Sequence, residues 1–130
     1  MLYKYSDYLT NTNIIPTEEA QSLYDELVEI VKANVKDTTL MELWDELLEA
    51  VMDYAEFRQR WLLMEIEKRI SKDKTRTMYH DVVMVKFDIL ARYMEKNGMD
   101  VSWKTALGEN RKRVGDFACY IALFMALEQR

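Results

Sequence analysis

The residues able to do chemistry in this chain are mostly carboxylates: 23 acids stand against one histidine and one cysteine in 130 residues. Two acidic runs share a helical interval. In Asp25-Glu26-Leu27-Val28-Glu29 the side chains of Glu26 and Glu29 are three residues apart, and twelve residues later Glu42-Leu43-Trp44-Asp45 repeats that spacing. Residues three apart share one face of a helix. Two such helices side by side would aim four carboxylates at one point, an all-oxygen environment that suits Mg²⁺. A metal held that way polarises a phosphoryl oxygen and activates water.

This pattern resembles the motif of the all-α nucleoside triphosphate pyrophosphohydrolases, which carry E-E-x-x-E and then E-x-x-D on consecutive helices. The likeness implies that Glu26, Glu29, Glu42 and Asp45 ligate Mg²⁺, the one cofactor any reading of this sequence requires. It covers the two acidic runs alone and departs at Asp25, where that family usually has Glu. No Gly-rich phosphate loop accompanies it. His80-Asp81 resembles the paired ligands of metal phosphohydrolases, but those sites need further histidines and the chain has none. Cys119 lies in an apolar run, as a buried core thiol would. A Cys/His or Ser/His/Asp arrangement therefore has no support, and no catalytic residue is assigned.

Two basic clusters offer binding instead of catalysis. Lys68, Arg69, Lys72, Lys74 and Arg76 form one; Arg111-Lys112-Arg113, close in sequence to Trp103 and Lys104, forms the other. The triplet opens a helix, where cations oppose the helix dipole. Contact with phosphate or with an acidic partner is one reading of Trp103, Lys104, Arg111, Lys112 and Arg113, and a solvated face paired with Glu109 and Asp116 is the other. The net charge of −5 disfavours non-specific nucleic-acid binding, and no helix-turn-helix pattern is present.

The elements that must position these residues are helices. Gly 3 and Pro 1 are too few for the turns a sheet requires. Thr17, after Pro16, is expected to cap a first helix reaching about Val35. Thr39 and Glu42 form a capping box for a second. From there no Gly or Pro occurs until Gly98, and Leu40, Trp44, Leu47, Val51, Ala55, Leu62, Ile66 and Ile70 keep one stripe. The reading is one long helix to Ile70, followed by a turn at residues 71–77. Met78, Val82, Val85, Ile89 and Tyr93 then repeat helically up to Asn97-Gly98, a C-terminal stop. A connector with Trp103 leads to a last helix over about residues 109–128.

The expected fold is all-α: a four-helix bundle-like single domain over residues 1–130, with one long central helix and an N-terminal arm at residues 1–15. Phe117–Leu127 is apolar throughout and leaves no face for water, although it is too short for a membrane span of about 20 residues. Such a helix is central or covered by a second copy. The second option makes Phe117, Tyr120 and Phe124 dimer contacts, the first makes them core. Charge sorting points the same way. Seven acids and no base occupy residues 37–56, and seven bases against three acids occupy residues 58–76, so two antiparallel copies would match opposite charges. With no secretory signal at Met1–Tyr8 and a single cysteine, the leading expectation is a cytoplasmic, non-enzymatic interaction or regulatory protein that forms a homodimer with no membrane association. A Mg²⁺-dependent pyrophosphohydrolase and a nucleic-acid-binding regulator are the alternatives.

Overall fold

The computed structural model describes residues 14–128, and within them six α-helices follow one another without a strand: α1 (Thr17–Ala33), α2 (Thr38–Leu62), α3 (Ile66–Ser71), α4 (Asp73–Lys96), α5 (Ser102–Leu107) and α6 (Arg111–Glu128). The all-α class follows the composition. Of the arm expected at residues 1–15, only Ile14 and Ile15 are among the described residues. None of these helices is long and apolar enough to cross a membrane.

Helix ends differ from the sequence reading at the caps. Pro16 takes the N-cap position of α1, and Thr17 is its first helical residue, with its hydroxyl 3.1 Å from the Tyr120 hydroxyl. Asp37 caps α2 in place of the Thr39–Glu42 box: its carboxylate accepts from the Leu40 N–H at 3.0 Å and from the Tyr93 hydroxyl at 2.7 and 2.8 Å. The stop at Gly98 is as expected. Gly98 has φ 76°, Met99 N–H donates to Met94 C=O at 2.8 Å, and Gly98 N–H donates to Glu95 C=O at 3.2 Å, the two bonds of a Schellman cap.

The long helix expected to reach Ile70 is broken. α2 ends at Leu62 with tightened bonds from Leu63 N–H to Arg60 C=O and from Met64 N–H to Trp61 C=O, and Glu65 is extended before α3 starts. No Gly or Pro causes the break. A tertiary bond holds it: the Trp61 indole N–H donates to Arg69 C=O at 2.8 Å, tying the end of α2 to α3. The stripe from Leu40 through Ala55 is buried as expected, whereas Ile66 and Ile70 beyond the break are exposed. The next helix starts at Asp73, inside the segment read as a turn.

α2 packs along α4, and α6 lies against α1, α2 and α4. Every residue of α6 from Val114 to Phe124 is buried. Phe117 stacks on Phe87 with ring centres 5.8 Å apart, and Phe124 lies between Tyr120 at 5.8 Å and Tyr24 at 5.3 Å. Burying each such ring contributes about 1.5–3 kcal/mol. Phe117, Tyr120 and Phe124 thus sit in the core of one copy, covered by α1, α2 and α4, and in the single chain they are not surface residues. Asp116, a charged residue in this buried stretch, is satisfied by the backbone N–H groups of Ile14 at 2.5 Å and Ile15 at 3.1 Å. These bonds pin the entry to α1 onto α6.

Candidate functional site

The four carboxylates proposed as Mg²⁺ ligands do not come together. Among the described residues no three His, Cys, Asp or Glu side chains form a metal-holding group. Glu26 accepts from the Ser102 hydroxyl at 2.6 Å, beside α5, while Glu29, Glu42 and Asp45 are solvent-exposed. The i, i+3 spacing is present within each helix, but the helix faces do not converge.

The patch read from Trp103, Lys104, Arg111, Lys112 and Arg113 is divided by the fold. Trp103 is fully buried, its ring 6.2 Å from that of Phe87, and offers nothing to a partner. Lys104 pairs with Glu109 at 2.9 Å and Asp88 at 3.5 Å. Arg113 pairs with Glu19 and donates to the carbonyls of Leu107 and Ala106 at 2.8 and 3.0 Å, closing the α5–α6 loop. Arg111 and Lys112 stay exposed.

Those two residues join a group that sequence spacing did not unite. A cavity of about 660 Å³ is lined by Ile14, by Tyr54, Arg58, Trp61 and Leu62 from α2, by Arg76, Thr77 and His80 from α4, and by Arg111 and Lys112 from α6. Both basic clusters face the same space, the first through Arg76 and the second through Arg111 and Lys112. The wall carries four cationic side chains and no carboxylate. Arg76 holds Asp73 at 2.9 Å while its guanidinium lies 4.8 Å from the centre of the Trp61 ring, so the cation–π contact fixes it over the indole. Arg111 bonds Asp81 at 2.6 Å. Arg58 donates to the Cys119 sulfur at 3.2 Å. Burial pushes the Cys119 thiol up, against the pull of Arg58, and keeps it a protonated core group.

His80 is the pivot of this wall. Its ring is buried, lies edge-on to Tyr54 at 5.3 Å, and has Nε2 2.7 Å from Arg111 C=O. A carbonyl only accepts, so Nε2 carries the proton and Nδ1 is bare in the neutral ring. Nδ1 has no hydrogen-bond partner among the described residues. Burial, the largest influence, lowers the His80 pKa from its ordinary value. The site was legible only as fragments. Its one available signal was Arg58, a cation four residues after Tyr54 and three before Trp61 on a single helix face.

A second feature lies outside the core. Of the ten large apolar side chains exposed among the described residues, seven fall between residues 63 and 89: Leu63, Ile66, Ile70, Met78, Val82, Val85 and Ile89. The last four, read from the sequence as a helical repeat, lie on the outer face of α4. α4 buries the opposite stripe, His80, Val83, Phe87, Leu90, Ala91 and Met94. A hollow along α4 bounded by Met78, Val82 and Val85 adjoins another between Trp61, Ile66 and Ile70, with Asp73 lining both. Comparisons with protein-family models, curated proteins and solved structures give no match.

Proposed function

We propose that this chain is a cytoplasmic, non-enzymatic helical interaction protein that works as a homodimer joined through the outer face of α4. The observation that carries the reading is the unpartnered stripe Met78, Val82, Val85 and Ile89, exposed at 37–54%. Its spacing of four, three and four residues is that of a coiled-coil seam, with Met78 and Val85 at d and the β-branched Val82 and Ile89 at a. The α4 stripe alone covers about 17 Å of helix, short for a stable interface, so Leu63, Ile66 and Ile70 extend it.

Charge selects the occupant. In this register Asp81 is a g residue and Lys86 an e residue five positions later. In a parallel pair, g of one helix faces that e position of the other, so Asp81 meets Lys86 of the second copy, twice by symmetry. An antiparallel pairing with the same core layers brings Asp81 toward Asp88 instead. Asp81 and Lys86 bond Arg111 and Glu46 within their own copy, but both remain partly exposed and can be shared. The seam spacing and these charges support a second copy as the occupant of this face.

Sedimentation equilibrium of the native chain and of Val82→Glu with Val85→Glu tests the reading. Both positions are solvent-facing, so the double variant keeps its helical circular dichroism. The expected result is a native dimer and a variant whose dissociation constant is raised at least about 100-fold, since two charges are buried unpaired at the seam. Equal association of the two proteins overturns it.

A further inference from the structure

We infer that the cavity between the end of α2, the start of α4 and the start of α6 binds a small phosphate ester. Its lining includes Arg76, Arg111 and Lys112 together with Trp61, Leu62 and Ile14. That combines charge-assisted donors for an anionic group with apolar surface for an organic one. The acids that touch the wall, Asp73 on Arg76, Asp81 on Arg111 and the buried Asp116 on the Ile14 N–H, bond from outside the lining and neutralise only part of its charge. Lys112 has no ion pair among the described residues. His80 also lines the cavity, and its Nδ1 has no hydrogen-bond partner among the described residues.

The volume, about 660 Å³, falls in the range of small-molecule sites. The arrangement favours a small ligand over a nucleic-acid strand. Lys104 and Arg113 are occupied by Glu109, Asp88 and Glu19, so the second basic cluster does not continue outward as a track for successive phosphates. The chain as a whole is also anionic, which opposes a polyanion more strongly than a single phosphate.

The test is calorimetric titration of the full chain with adenosine monophosphate, inorganic phosphate and adenosine, alongside a single-stranded oligonucleotide. Saturable binding of adenosine monophosphate with a dissociation constant below about 1 mM is expected, with adenosine inert. Inorganic phosphate measures the share carried by the anion alone. Replacing both Arg111 and Lys112 by alanine is expected to weaken binding at least tenfold, roughly the loss of one charge-assisted bond. Lys104→Ala leaves it unchanged. Both Arg111 and Lys112 are exposed, and the His80 bond goes to the backbone of Arg111, so the variant retains its fold by circular dichroism. The inference is overturned if neither phosphate compound binds, if adenosine binds equally, if the double variant binds as the native chain does, or if the oligonucleotide is the tighter ligand.

Discussion

Gly115 shows how closely α6 approaches its neighbours. A Cβ there would stand 2.9 Å from the Tyr54 hydroxyl and 3.0 Å from two atoms of the His80 ring. The expected outcome of Gly115→Ala is a loss of about 1–3 kcal/mol from overpacking, measured by urea unfolding, because the Tyr54 and His80 rings must shift to admit the methyl group. His80 itself sets a pH dependence. Its folded pKa lies below the ordinary 6.5, so on acidification the unfolded chain takes up a proton before the folded one does. Its stabilising contribution is complete above the unfolded pKa and is lost as pH falls from about 6.5 through the folded value. Urea midpoints at pH 7.5 and 5.5 are expected to differ more for the native chain than for His80→Gln. Trp103 was read as part of a surface patch because it lies close in sequence to Lys104 and the Arg111-Lys112-Arg113 triplet. Its burial against Phe87 instead predicts a loss of about 3–5 kcal/mol in Trp103→Ala.

At the level of elements, the stop at Gly98 was readable because only a residue tolerant of positive φ suits that cap. The break after Leu62 was not, because it depends on an indole bonding a carbonyl eight residues away, and no local composition signals that. With the helix broken, the acidic and basic halves of the expected single rod fall on separate elements, and the antiparallel charge argument built on it loses its geometry. α4 was ambiguous for another reason. Met78-Val82-Val85-Ile89 and Val83-Phe87-Leu90-Met94 are both apolar at helical spacing, so periodicity established a helix without choosing its inner face. Packing against α2 chose the stripe with Phe87. The exposed stripe carries its own prediction: Asp81→Lys weakens dimerisation several-fold, and adding Lys86→Glu restores it, as read by sedimentation. An exposed pair of this kind is worth about 0.2–1 kcal/mol, which limits the change to that size.

For the whole molecule, the all-helical class was legible in the scarcity of Gly and Pro, and the burial of α6 in its uninterrupted apolar run. Which partner covered that run was not, since a helix without a polar face is satisfied equally by its own fold or by a second copy. Phe117, Tyr120 and Phe124 are covered by their own fold, and the apolar excess of the molecule appears on α3 and α4 instead. The carboxylate cage failed at this scale as well: spacing aligns acids within a helix, while the rotation of one helix against the next decides whether two pairs meet.

The pairing of two copies along α4 is tested most directly by Val85→Cys under mild oxidation. In a parallel seam the two d positions face each other across the twofold axis, close enough for a disulfide, and Cys119 is buried and does not compete. The account predicts rapid formation of a covalent species of twice the 15.5 kDa chain mass, with none for a cysteine at Glu49, an exposed position on α2. No covalent dimer from Val85→Cys, or equal yields at both positions, would contradict it.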